Sequence, residues 1–357
     1  MQSANAKDLP ERQRLILKEI VDRYIRFRDP VSSRMILEDY GLTVSSATVR
    51  NDMNDLEAAG YVAKPYSSSG RIPTKRGYRF FVDWLLDLSE LTREERLEIV
   101  EMVESQCLDV EETIRQTAFL LGSITGCASF VIPPRPEETK LDRVVLLRMA
   151  EQSAFLLILS DIGIVEHGLV PLDDDLAPSE IDHIMQLINE NLHGVNLSEV
   201  RSLPDIDESE GWYERPVRQA ILVLQRLLQR RMQRPVRFEG LLNLTDALQQ
   251  TVPHRAMADF ASFSRAMRDE EGFIEAMLEA RAGKEGIVVS IGDFPLPGLD
   301  QFSVVSCSYR PHSGVLGVIG PLWMDYGRAL STTSYVANRL EGLLITSGAR
   351  SSERMSE

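Results

Sequence analysis

Apolar positions between residues 10 and 27 recur at three- and four-residue steps (Leu15, Ile16, Ile20, Tyr24, Phe27). This is the spacing of one buried helical face, and Pro10 suits its first turn. Asp29-Pro30 ends the segment. Ser33 is an N-cap for a short second helix, Arg34 to Asp39, with Met35 and Leu37 as core candidates. A third helix starts at Ser45 or Ser46 and closes at Gly60, which suits the left-handed position after a helix end. On it Val49, Met53 and Leu56 share one face, leaving a polar remainder. Tyr61-Val62-Ala63 and Arg71-Ile72-Pro73 are short strands around the turn-rich Lys64–Gly70, and Thr74 caps a fourth helix. Three short helices followed by a hairpin predict a winged helix-turn-helix.

Farther along, Thr92-Arg-Glu-Glu95 has the form of a capping box opening one long helix to about Gly122. Val100, Val103, Cys107, Val110, Ile114, Thr117 and Leu121 step 3-4 along it, and at its standard rise it would run roughly 45 Å. An amphipathic helix packed on a sheet is preferred to a coiled coil. Apolar runs of strand length follow at Ala128–Ile132, Val144–Met149, Phe155–Ser160 and Ile164–Val170. Helices are predicted over 180–192, capped by Ser179, and over 215–232, with the acidic linker Pro204–Gly211 between them. The last third reads as a strand (Phe238–Leu242), helices (256–281), then strands Gly286–Ile291, Phe302–Tyr309 and Val315–Ile319. A helix from Asp325 to about Thr346 and a polar, frayed tail close the chain. Hairpin-spaced strands among helices predict an α+β fold rather than a doubly wound sheet.

Charge changes the picture. The 357 residues carry a net −15, which argues against a polyanionic partner until the distribution is inspected. Residues 1–88 hold 14 Lys and Arg against 12 Asp and Glu; residues 89–357 hold 25 against 42. Between Ala58 and Val82 there is no acid, only Lys64, Arg71, Lys75, Arg76 and Arg79. A local cationic face on an acidic body suits one-sided binding to DNA.

The third helix carries the candidate chemistry. Small residues at its start (Ser45, Ser46, Ala47, Thr48) allow close approach to phosphate. With Val49 taken as the buried direction, 100° steps put Ala47, Asn51 and Asn54 opposite it and Arg50 at the flank. Asn can pair with adenine, Arg with guanine, and an Ala methyl can touch thymine. Arg71, Lys75, Arg76 and Arg79 are expected at phosphates or in the minor groove. Tyr66, in the hairpin, suits sugar stacking or hairpin packing equally.

Catalytic spacing is missing from the sequence. The five histidines show no metal-ligand pattern, and neither a nucleophile elbow nor a Walker loop occurs. Asp173-Asp-Asp175 lacks the alternation and glycine of a calcium loop. Cys107, Cys127 and Cys307, odd in number and far apart, predict neither a disulfide framework nor a zinc ribbon. The expectation is a non-enzyme without cofactor or metal. With no signal-peptide block and no apolar run of about 18 residues, it is also cytoplasmic.

Several motifs together resemble the HrcA family of heat-inducible transcription repressors. They are Pro30-Val-Ser-Ser-Arg34, Val44-Ser-Ser-Ala-Thr-Val-Arg-Asn-Asp-Met53, Leu56-Glu57, Gly60-Tyr61, Ser69-Gly-Arg-Ile-Pro-Thr74, Gly77-Tyr-Arg79, Val82-Asp83, Ile319-Gly-Pro321 and Met324-Asp-Tyr326. The resemblance implies a winged-helix domain over 1–88, then over 89–139 the long linking helix and the first part of a GAF-like domain, whose second part is 234–346. It also implies a dimerisation domain inserted at 140–233, with 347–357 as tail. It further implies a homodimer on a CIRCE-type inverted repeat upstream of chaperone operons, kept active by a chaperonin of the GroEL type. Ser33 and Arg34 of the second helix and Lys64 of the hairpin complete the expected DNA-contacting set. The family usually has Thr-Arg where this chain has Leu322-Trp323. The alternative is a winged-helix regulator controlled by a small ligand in the GAF-like domain, around Gly286–Tyr326.

Overall fold

The computed structural model describes the chain outside residues 1–8, 41–44, 67–68, 105–109, 135–138, 151, 162–164, 173–175, 204–214, 232–235, 250–252, 283, 285, 310–313 and 354–357. The linker expected at Pro204–Gly211, the Asp173–Asp175 turn and Cys107 lie outside the described residues.

Helices α1 (Glu11–Phe27), α2 (Ser33–Tyr40) and α3 (Ser46–Ala58) pack on one another. Ile16, Leu17, Ile20, Ile36, Val49 and Leu56 are fully buried among them. The second helix is capped one residue earlier than predicted: Ser32 Oγ accepts from Met35 N at 3.4 Å, and Ser33 is already helical. After α3, Gly60 takes a φ of +77°, and strands β1 (Val62–Ala63) and β2 (Ile72–Pro73) pair antiparallel. Arg71 extends this ribbon by bridging to Val31, ahead of α2. Thr74 caps α4 (Lys75–Phe80) by accepting from Gly77 N, and one π turn, Phe81–Leu85, ends that helix.

The long helix expected over 92–122 is instead described as two, α5 (Arg93–Glu104) and α6 (Val110–Thr125), which pack against each other. The 3-4 rhythm requires only a buried stripe, and a pair of shorter helices satisfies it as well as one rod does. At the start the capping box holds: Glu95 Oε2 accepts from Thr92 N at 2.8 Å, and Thr92 Oγ1 from Glu95 N at 3.2 Å.

Strands β3 (Ala128–Ile132), β4 (Leu141–Ala150), β5 (Ser153–Ser160) and β6 (Val165–Pro171) come next, then helices α7 (Pro178–Leu192), α8 (Leu197–Arg201) and α9 (Arg215–Arg231). The start of α7 lies earlier than its predicted Ser179 cap. Ala177 occupies the cap position, and Glu180 Oε2 accepts from its N–H at 2.6 Å. The chain continues through β7 (Arg237–Glu239), α10 (Leu241–Gln249), α11 (Pro253–Ala266) and α12 (Glu270–Arg281). It ends with β8 (Ile287–Ile291), β9 (Phe302–Tyr309), β10 (Gly314–Pro321) and α13 (Tyr326–Glu353). Leu241 and Leu242, expected at the end of a strand, open α10, because Gly240 at φ +69° turns the chain out of β7. Helix α13 also runs beyond its expected end near Thr346.

The five-stranded antiparallel sheet has the order β7-β3-β10-β9-β8 and is covered on both faces. Odd residues of β9 (Val305, Cys307, Tyr309) face α6 and α13; even ones (Phe302, Val304) face the α10–α12 side, with Phe263 and Phe273. Two-sided burial explains why these strands read as nearly continuous apolar runs. The first face shares one continuous core with the three N-terminal helices. A second antiparallel sheet, β4-β5-β6, forms a separate core with α7, α8 and α9 through Val144, Leu156, Ile158, Ile188 and Leu224. The whole is mixed helix and sheet, α+β in class.

Candidate nucleic-acid interface

The site grows from the cap of α3. Ser45 Oγ accepts from Thr48 N at 3.2 Å and lies 2.9 Å from Thr48 Oγ1, satisfying one of the free amides of the first turn. Val49, Asp52, Met53 and Leu56 then face inward. Outward stands a strip formed by Ser45, Ser46, Ala47, Arg50, Asn51 and Asn54, all exposed, with Thr48 half-buried beside it. Among the described residues neither Arg50 nor Asn51 has a side-chain partner, so their polar groups are available.

Asp52 is the residue that sequence reasoning missed. A carboxylate on the buried face needs a partner, and Arg12 Nε supplies one at 2.6 Å. Gln13 Nε2 adds bonds to Asp52 Oδ1 (3.4 Å) and Asp55 Oδ2 (3.2 Å). The start of α1 thereby fixes the rotation of α3, and with it the strip. The available signal was a lone Asp set between Val49 and Met53 in an otherwise apolar row.

The expected phosphate-contacting residues divide. Ser33 is half-buried in the first turn of α2, and Arg34 is exposed, pairing with Glu38 at 2.7 Å. Lys64 is exposed, 3.6 Å from Glu57. Arg76 is exposed and lies over the Tyr61 ring, 4.6 Å from its centroid. Tyr66 is exposed at the hairpin. Arg71, by contrast, is turned inward: its side chain is 8% exposed and meets Glu57 Oε2 and Asn54 Oδ1, each at 2.7 Å. Lys75 and Arg79 point at the body, where Lys75 Nζ donates to the Gly292 carbonyl (3.2 Å) and Arg79 Nη1 to that of Val289 (2.7 Å). Val289 lies in β8, an edge strand of the five-stranded sheet, so Arg79 covers an otherwise open edge.

Other contacts bind the lobe to the body. Arg28, in the left-handed conformation after α1 (φ 63°), lies over the Trp323 ring at 6.0 Å. Lys18 pairs with Asp87, and the ring of Tyr78 stands 6.0 Å from that of Tyr326. Burial pushes the Tyr78 phenol well above its ordinary range and the Cys127 thiol up to about 12, so neither ionises near neutrality. Among the described residues no group of His, Cys, Asp and Glu could hold a metal ion, and no helix is long and apolar enough to cross a membrane.

The family model described as the HrcA protein C-terminal domain matches residues 111–330. The chain belongs to the HrcA family. Two relatives, from Syntrophobacter fumaroxidans and Halalkalibacterium halodurans, are each 32% identical to it. Each comparison covers 94% of this chain and 98% of the relative. Both carry the name heat-inducible transcription repressor HrcA. The fold is similar to a crystal structure of a hypothetical protein solved at 2.2 Å, with a TM-score of 0.68 and 26% identity over 95% of this chain and all of that one. HrcA membership accounts for the motif chain on and around α3, whose residues the family model does not itself cover.

Proposed function

We propose that this chain is a transcription repressor that reads an inverted repeat in duplex DNA as a homodimer. The observation that carries the reading is the exposed strip of α3, with Arg50 and Asn51 unpartnered and the helix start capped by Ser45. Its side chains suit a major groove: Arg50 to guanine, Asn51 to adenine, the Ala47 methyl to thymine. The amides of Ser46 and Ala47 stand at the positive end of the helix, where phosphate can meet them, while that of Thr48 is taken by the Ser45 cap. Ser33, Arg34, Lys64 and Arg76 lie on the same lobe and supply sequence-independent contacts.

In this reading residues 1–88 are a winged helix-turn-helix domain. The five-stranded sheet with its helices is the GAF-like body, and residues 140–233 are an inserted dimerisation domain. Support for the dimer comes from the uncovered face of β4-β5-β6. Register sets Leu147, Phe155 and Leu169 in one row across it and Val145, Leu157 and His167 in the next. Met149 and Leu169 are each 66% exposed. An apolar sheet face of this kind suits a two-fold partner, and a two-fold protein suits a palindrome. Family membership supports the remainder: a CIRCE-type operator upstream of chaperone operons, a GroEL-type chaperonin that maintains the active form, and a cytoplasmic setting.

A mobility-shift titration of the full chain on its own upstream DNA, with each half-site base substituted, tests this reading. Asn51→Ala is expected to lose roughly 1–3 kcal/mol at one base pair; equal loss on all sequences contradicts base reading. A second reading, ligand control, draws on a cleft of about 490 Å³ lined by Leu88, Leu91, Arg96, Ile287, Leu330 and Tyr335, between the lobe's exit and α13. The cleft is open to solvent, and of its lining only Ile287 falls in the Gly286–Tyr326 stretch where a ligand was expected. Calorimetry against metabolite pools decides it: heat that appears with the native chain and not after Leu330→Trp fills the cleft supports it.

A further inference from the structure

We propose that Arg71 is a positioning residue that fixes the amide of Asn54 as a hydrogen-bond donor toward the groove, and so selects the base edge read there. The inference rests on the DNA-reading function above. Arg71 is held on three sides. Its backbone N–H donates to Val31 O at 2.8 Å and its carbonyl accepts from Val31 N at 2.9 Å. Its guanidinium reaches α3, where Nη2 meets Asn54 Oδ1 and Glu57 Oε2, each at 2.7 Å. Glu57 also takes Lys64 from the other strand of the hairpin, at 3.6 Å. The hairpin root is thereby locked to the helix that carries the strip.

A guanidinium only donates. It therefore selects the carbonyl oxygen of Asn54 and leaves the NH2 group of this exposed side chain outward. An unconstrained Asn pairs with adenine by accepting from N6 and donating to N7, which requires its oxygen. Here that oxygen is turned toward a charged donor, which takes one of its two lone pairs. The outward group matches best the acceptor-rich edge of guanine, N7 and O6; thymine offers O4 alone, adenine offers N7 beside its N6 donor, and cytosine presents the N4 donor. The order expected at the base pair facing Asn54 is guanine, then thymine, then adenine, then cytosine.

The test is competition anisotropy of the full-length chain against duplexes carrying every base at each half-site position. Asn54→Ala should flatten a preference of about tenfold at one base pair, the scale of a single lost base contact. Asn54→Asp keeps an acceptor for Arg71, removes the outward donor, and should invert the order there toward cytosine. Arg71→Met frees the amide and should raise adenine at that pair only, an effect absent when Asn54→Ala is also present. Arg71→Lys retains a donor and should keep the native order. Because Asn54→Asp alters an exposed side chain that still meets Arg71, it serves even if Arg71→Met fails to fold. The proposal is overturned if Asn54→Asp leaves the order unchanged. It is also overturned if Arg71→Met weakens all sequences alike and lowers the salt slope by about 0.9, the signature of one lost phosphate contact. A native chain with no base preference at any position would instead bring down the DNA-reading function itself.

Discussion

Asp52 sits on the buried side of α3 with its side chain 6% exposed, and Arg12, about half exposed, answers it at 2.6 Å. Removing the cation leaves a carboxylate among Val49, Met53 and Leu56 with only the long bond from Gln13. Arg12→Met is expected to cost about 1–3 kcal/mol, the scale for leaving a buried polar group unmatched; urea denaturation measures it. Adding Asp52→Leu should recover most of the loss, because an apolar pair replaces a broken ionic one. A second carboxylate, Asp22, responds to pH. Burial is the main cause of its raised pKa, with Asp87 and Asp325 adding to it against the opposing pull of Lys18 and Arg26. A carboxyl raised in the folded state penalises folding above its folded pKa. The penalty fades as pH falls through that value and is gone below the ordinary 3.8. Asp22→Asn should therefore raise the melting temperature at pH 7 and have progressively less effect toward pH 4; a gain independent of pH would contradict the burial argument.

At the scale of elements, α4 meets the hairpin through Gly77, where an added Cβ would fall 2.1 Å from the Tyr61 carbonyl oxygen. Gly77→Ala is expected to destabilise the chain by about 1–3 kcal/mol through overpacking, readable in a denaturation midpoint. Signals of this local kind were legible in the sequence. The cap at Thr74 and the turn at Gly60 depend on residues three or four apart, and both occur where the pattern puts them; the start of α3, open between Ser45 and Ser46, has Ser45 as its cap. The caps read at Ser33 and Ser179 fall instead at Ser32 and Ala177, because the choice among near neighbours turns on where the preceding strand or turn releases the chain. The 3-4 seam shared by α5 and α6 was visible as a stripe, but periodicity does not say which surface a stripe meets. The exposed strip of α3 was legible from its 100° steps. The partners of Arg71, Lys75 and Arg79 were not, since they lie 17, 217 and 210 residues away in the chain.

Across the whole molecule, a lobe of net positive charge is joined to an anionic body by Lys75, Arg79 and the Arg28–Trp323 contact, and its reading strip stays uncovered. In the proposed dimer the outward apolar face of β4-β5-β6, which no described helix packs on, is where the second copy sits. Leu157 stands in the middle strand of that face, between Val145 and His167. If the proposed dimer forms there, light scattering should find the native chain dimeric and Leu157→Glu monomeric, with the far-ultraviolet circular dichroism intact. Affinity for an inverted repeat should fall by about a hundredfold or more as the second half-site is lost. A variant that stays dimeric would move the interface elsewhere.

The most direct measurement is the affinity of the full chain for an inverted-repeat duplex and for a scrambled one, titrated across salt, with and without Arg50→Ala and Asn51→Ala. The native chain should prefer the repeat, with log affinity falling linearly as log salt rises. The double variant should lose the preference while keeping most of its binding to scrambled duplex. Affinity that is flat in salt, or a preference that survives both substitutions, would show that the strip on α3 is not what meets DNA.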